Sequence, residues 1–175
     1  MNTHKIVLSA LLVALSVGMG YLFVLVPNVE MMTATVFVAG GIVGPTYGLF
    51  VGLIAELIYS AFNPYGMAMP PLLIAQVFCF AVIGLVGGIF GKRQIQSLKL
   101  RFMILGACGL LLTLLFDVTT TLSFALFSAG TDAQKIWSTF LVGVSFYVVH
   151  SLVNTLIFVT VVPSVQLALQ RYVKS

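Results

Sequence analysis

The sequence predicts an all-α fold: a polytopic membrane bundle of six transmembrane helices, a single integral membrane domain over residues 1–175. Three observations predict it. Of 175 residues, 61% are hydrophobic and only 7% charged, where a soluble domain carries about 25% charged residues. The mean hydropathy is +1.17, and apolar runs near the roughly 20 residues that a span requires recur along the chain. The basic residues fall almost entirely on one side of the alternation these runs create. No stretch is polar enough for a separate soluble domain, a nucleotide-binding site or a metal cage. The net charge of +4 lies in loops, so the expected surroundings are a lipid bilayer and not nucleic acid.

The first span is residues 6–26, behind Lys5. A secretory signal is the rival reading, because Ser16-Val17-Gly18 faintly resembles a cleavage site. The run is longer than a typical signal core, and the topology needs it, so an uncleaved helix is expected. Pro27-Asn28 ends it. Glu30 opens a second run lasting to Gly44, and Gly44-Pro45-Thr46 reads as a tight turn. Helix 3 is expected over 47–62, followed by a Pro- and Gly-containing loop over 63–71. Helix 4 is expected over about 72–90, helix 5 over 102–127 and helix 6 over 139–162. A polar loop over 128–138 holds Asp132, Lys135 and Trp137. Pro163 is expected to stop or kink helix 6 before an amphipathic tail ending at Arg171 and Lys174. Cys79 and Cys108 sit in apolar runs and read as buried thiols, not as a disulfide.

With six spans, Lys5, Lys92, Arg93, Lys99, Arg101, Arg171 and Lys174 share the side of the termini, and only Lys135 is opposite. Seven against one is a positive-inside signal that places both termini in the cytoplasm.

Depth then becomes readable. Glu30, Glu56, Gln76, Asp117, Tyr147 and His150 come from five helices and fall at a similar outer level. A charge at mid-bilayer costs at least about 2.5 kcal/mol, so these groups must face the bundle or water. Helical spacing agrees. Gly48, Gly52, Glu56, Tyr59 and Asn63 form one stripe; Thr113, Asp117, Thr120 or Thr121, and Phe124 form another; Gly143, Tyr147, His150 and Asn154 form a third. Each is small at the inner end and polar or aromatic outward, which describes a closed floor under an outward cavity. The candidate ligand-binding residues are therefore Glu30, Glu56, Tyr59, Asn63, Gln76, Asp117, Thr120, Thr121, Tyr147 and His150. The bland alternatives stay beside this reading. Glycine stripes serve packing, threonine hydroxyls bond their own helix, Asn154 reads as interhelical glue, and Glu56 and His150 have the option of pairing with each other. No catalytic residue, cofactor or metal is expected.

On helix 1, Ala10, Ala14 and Gly18 lie one turn apart. Such a seam admits close approach of another helix, from this chain or from another subunit. Gly84, Gly87 and Gly88 on helix 4 suit the same purpose.

The size, the six helices, the Ala10-x-x-x-Ala14 motif and the acidic third helix behind a Gly-Pro-Thr-Tyr-Gly turn together resemble the S components of energy-coupling factor (ECF) transporters. The resemblance spans the whole chain. It implies a subunit that captures a vitamin or related micronutrient, docks through Ala10 and Ala14 on a membrane coupling subunit, and relies on two cytoplasmic ATPase subunits. The chain has no GxxxxGK[ST] of its own. Three carboxylates with few cationic partners suggest a donor-rich or cationic ligand, related to thiamine, pyridoxine or cobalamin. Tyr59, Tyr65, Phe124, Trp137 and Tyr147 are candidates to stack on its ring. Two rival functions are a proton- or ion-coupled carrier using Glu56, Asp117 and His150 as a relay, and an intramembrane enzyme built on Ser145 and His150 or on Asp117. The latter lacks a GxSG or HExxH motif.

Overall fold

A computed structural model describes residues 3–91, 97–130 and 132–174. The described residues form six helices and no strand: α1 (Thr3–Leu22), α2 (Met32–Val43), α3 (Pro45–Ala61), α4 (Pro70–Gly91), α5 (Leu98–Ala129) and α6 (Ala133–Lys174). The expected basic residues Lys92 and Arg93 lie outside the described residues, as do the side chains of Arg171 and Lys174.

α1, α4, α5 and α6 are each long and apolar enough to cross a membrane. At 1.5 Å per residue, the 12-residue α2 and 17-residue α3 reach only about 18 and 25 Å, less than the ~30 Å hydrocarbon core. The outer surface is apolar: Leu11, Leu15, Phe78, Leu111, Val142 and Leu156 are all exposed. A bundle in lipid presents that surface, since hydrocarbon solvates it as well as a protein core does.

The helix ends follow local chemistry. Gly44 alone separates α2 from α3. It takes φ 95° and donates its N–H to Gly40 O at 2.8 Å. Pro45 then starts α3, where its missing N–H costs nothing. The expected three-residue turn is thus a single residue, with Pro45 and Thr46 already helical. Asp132 caps α6 by accepting from Gln134 N and Lys135 N at 3.1 and 3.2 Å, so α6 already starts at Ala133, inside the expected polar loop. Pro163 neither stops α6 nor ends its packing. Phe158 and Val162 before it are fully buried, and beyond it Gln166 Oε1 accepts from Arg101 Nη2 at 2.7 Å. One forfeited backbone bond does not outweigh those contacts, and next to it Ser164 Oγ adds a local bond to Thr160 O at 2.7 Å.

Two subassemblies result. In one, α2, α3 and α4 pack backbone to backbone. A Cβ built on Gly84 would overlap the carbonyl of Gly48, one on Gly52 that of Phe80, and one on Gly87 that of Phe37. The pairs Gly52/Phe80, Gly48/Gly84 and Pro45/Gly88 run antiparallel. In the other, α5 and α6 form a hairpin whose rungs keep register: Arg101 with Gln166, Gly109 with Phe158, Thr113 with Asn154, Asp117 with His150 and Thr121 with Tyr147. α1 runs parallel to α3, with Lys5 over the Tyr47 ring at one end and Tyr21 against Tyr59 at the other. Phe37 against Phe158, ring centroids 5.0 Å apart, joins the two subassemblies. The starts of α1, α3 and α5 therefore share one end of the bundle, and the connections 23–31 and 62–69 share the opposite end.

Candidate polar cavity

The end opposite Lys5 holds a cavity of about 330 Å³. Its wall begins in the connection 23–31. Asn28 turns that segment with φ 59°, a conformation asparagine tolerates better than most residues. Tyr65 OH donates to Val24 O at 3.4 Å and Tyr21 OH to Tyr59 O at 3.2 Å, so both connections at this end are tied together. Gly20 keeps the wall thin: a Cβ there would stand 2.9 Å from the Tyr59 ring.

Glu30 reaches from this segment into the bundle. Its Oε2 accepts from Thr33 N at 2.8 Å, which serves an orphan N–H in the first turn of α2. Its Oε1 accepts from Asn154 Nδ2 at 3.0 Å and lies 3.9 Å from His150 Nε2. Asn154 is fully buried; the same Nδ2 faces Thr113 Oγ1 and His150 Nε2, each at 3.1 Å. His150 Nδ1 stands 2.8 Å from Asp117 Oδ1, and its ring meets Phe116 edge-on. On the facing side, Ser60 Oγ donates to Glu56 Oε1 at 2.8 Å and reaches Gln76 Oε1 at 3.3 Å. Glu56 is 2% exposed. Among the described residues, no group of three His, Cys, Asp or Glu side chains is arranged to hold a metal ion.

A family model described as "ECF transporter, substrate-specific component" matches residues 4–166. The chain belongs to that family. No curated protein and no solved structure matches it. This S component is accordingly a multi-pass protein of the prokaryotic plasma membrane, a transport subunit for a small molecule that couples to other ECF components. Its family is a class of transporter components and not of enzymes.

Of the residues singled out in the sequence of this S component, Glu30, Glu56, Tyr59, Gln76, Asp117 and His150 line the cavity. Four others do not. Asn63 sits past the end of α3, where its Oδ1 accepts from Tyr65 N at 3.0 Å and shapes the turn. Thr120 is turned to its own helix and donates to Phe116 O at 2.7 Å. Thr121 and Tyr147 bond each other across the α5–α6 hairpin. Glu56 and His150 pair with other residues, not together. Tyr65, Phe124 and Trp137 are exposed, and none lines the cavity. Ser145 is exposed while His150 faces inward.

The cavity also uses Phe23, Met32, Thr33, Phe80 and Phe116. Nothing in their sequence neighbourhoods separates Phe80 and Phe116 from lipid-facing phenylalanines such as Phe78, because an apolar run in a membrane has no polar face to set its phase. Thr33 had a signal, one turn from Glu30.

On α1, Ala10, Ala14 and Gly18 are all exposed, and a Cβ added at Gly18 meets nothing within 4 Å. The two small-residue seams therefore differ. The α4 glycines are filled from within the chain, and the α1 seam has no partner among the described residues.

Proposed function

We propose that this S component captures a vitamin or related micronutrient from outside the cell. It then docks on a membrane coupling subunit driven by two cytoplasmic ATPases. The observation that carries capture is the cavity, where carboxylates, an imidazole and aromatic rings from four helices and the connection 23–31 converge. The glycine-packed α2–α3–α4 layer lies on the inner side of it, which supports a binding pocket over a through-going path. Glu30, Glu56, Tyr59, Gln76, Asp117 and His150 are its ligand contacts. Thr121 and Tyr147 stand one rung further out on the hairpin, Thr120 steadies α5 and Asn63 shapes the rim.

All six helices cross the membrane in this reading, as one domain with cytoplasmic termini. The short α2 and α3 complete their crossings with the adjoining connections. Support comes from Lys5, Lys99 and Arg101 gathering at one end while Lys135 stands at the other. The exposed face of Ala10, Ala14 and Gly18 is the docking surface; small residues there let the coupling subunit's helices approach closely.

The test is a titration of the purified chain with a panel of vitamins, read by thermal stability, because a ligand of the folded state must raise it. Trp137 is 68% exposed and outside the cavity, so its fluorescence is the weaker readout. A saturable, sub-micromolar shift with one compound is expected. Transport by vesicles holding this chain alone would favour the ion-coupled carrier instead.

A further inference from the structure

The cavity is short of hydrogen-bond donors. Asp117 has a side chain 8% exposed, and its Oδ2 is buried without any partner. Behind the lining, Asn154 Oδ1 is likewise buried and unpartnered. Across the cavity, the single proton of Ser60 is offered to two oxygens, Glu56 Oε1 and Gln76 Oε1, and one of them always goes short. A buried acceptor left unsatisfied destabilises the site by a substantial fraction of a hydrogen bond's worth. Asp117 and Glu56 both line the cavity, and donors on a ligand would complete the bonding of these two carboxyl groups.

Charge points the same way. The lining contains Glu30, Glu56 and Asp117 and neither lysine nor arginine. Among the described residues His150 is the only basic side chain in the lining, set against three carboxyl groups. Buried carboxylates of this kind require a cation or a set of donors opposite them. Among the described residues no three carboxylate, imidazole and thiol groups are arranged to hold a metal ion, which favours an organic cation. The apolar part of the wall combines aliphatic side chains with four aromatic rings, Phe23, Tyr59, Phe80 and Phe116, and aromatic faces favour a flat cationic ring. The volume of about 330 Å³ is at the low end of the roughly 300–1,000 Å³ of small-molecule sites, room for one or two rings and too little for a corrin.

We infer that the ligand is a compact, flat organic cation bearing N–H donors, an aminated or amidine-like nitrogen heterocycle, whose donors are received by the Asp117 and Glu56 carboxyl groups. This rests on the capture function above and narrows it to one ligand class.

The test uses a pair of isosteric probes, benzamidinium and benzoate, titrated at neutral pH into the full chain in lipid nanodiscs and read by calorimetry and thermal shift. Benzamidinium is expected to bind at least about tenfold more tightly than benzoate, a difference of about 1.4 kcal/mol. The preference is expected to collapse in Glu56→Gln and in Asp117→Asn, each of which replaces a carboxyl group by an amide at nearly constant shape. Equal or tighter binding of benzoate overturns the inference, as does a preference unchanged in both variants. Whole vitamins keep the two readings apart. Tight binding of anionic biotin or pantothenate overturns the cationic class and leaves capture standing. A panel without any binder, alongside an intact benzamidinium preference, overturns capture and upholds the cation-selective site.

Discussion

Asn154 on α6 donates through one amide nitrogen to Glu30 at 3.0 Å, although 124 positions separate them in the chain. That contact fastens the connection between α1 and α2 to the α5–α6 hairpin, and so holds one wall of the cavity against the other. Through Thr113 and His150 the same amide reaches the hairpin's own polar rungs. A buried side chain with three polar neighbours works as a positioning residue: it sets where the Glu30 carboxylate stands.

Asn154→Leu removes that anchor at similar volume. Leaving Glu30 and Thr113 without their donor is expected to cost about 1–3 kcal/mol of stability. Amide hydrogen exchange over residues 24–31 should quicken more than exchange over α4. Exchange unchanged at 24–31 would show that the connection is held by other contacts.

Glycines that look alike in sequence should respond oppositely to alanine. Gly84→Ala pushes a methyl group into the Gly48 carbonyl, and backbone cannot give way as a side chain can. A loss of at least about 2 kcal/mol is expected, at the upper part of the overpacking range. Gly18→Ala meets open space and should be neutral, or stabilising by up to about 1 kcal/mol through helix propensity. Thermal unfolding of the two variants in one detergent checks both.

Docking and capture should separate. Ala10→Trp combined with Ala14→Trp alters only an exposed face of α1, far along the helix from the cavity lining that starts at Gly20. Ligand affinity should stay within about twofold, since the substitutions touch no cavity contact. Uptake by cells carrying a coupling module should fall to background. Undiminished uptake would place the docking surface elsewhere.

Membrane orientation is open to labelling, because the native thiols are quiet: Cys79 is 0% and Cys108 8% exposed. An impermeant maleimide added to intact cells should label Lys135→Cys and spare Lys5→Cys. The reverse pattern would invert the orientation, and labelling of both would break the even number of crossings.

Much of this was legible beforehand for a simple reason. Lipid penalises exposed polarity so heavily that every carboxylate in a span must turn inward; Glu56 and Asp117 announced a polar interior by being there at all. The helix breaks at Gly44-Pro45 and in the loop before α4 were equally plain, since glycine and proline act through local backbone geometry, although Pro70 and Pro71 open α4 instead of closing the loop. Pro163 was the exception, because burial of Phe158 and Val162 on its own helix outweighs one missing bond.

By itself, then, the sequence determined the class of the protein, its six helices and the end of the bundle where polarity collects. Those properties follow from composition and local geometry, which need no knowledge of neighbours. Only the tertiary structure decided which polar groups face the cavity and which satisfy one another, as Thr121 and Tyr147 do. It also decided that the α1 seam points outward while the α4 glycines are filled, and that Phe80 and not Phe78 reaches the site. Each of these depends on the rotation of a helix about its axis. Where lipid and core are equally apolar, no hydrophobic periodicity sets that rotation, and it is chosen by backbone-to-backbone packing at glycines and by the polar rungs between α5 and α6.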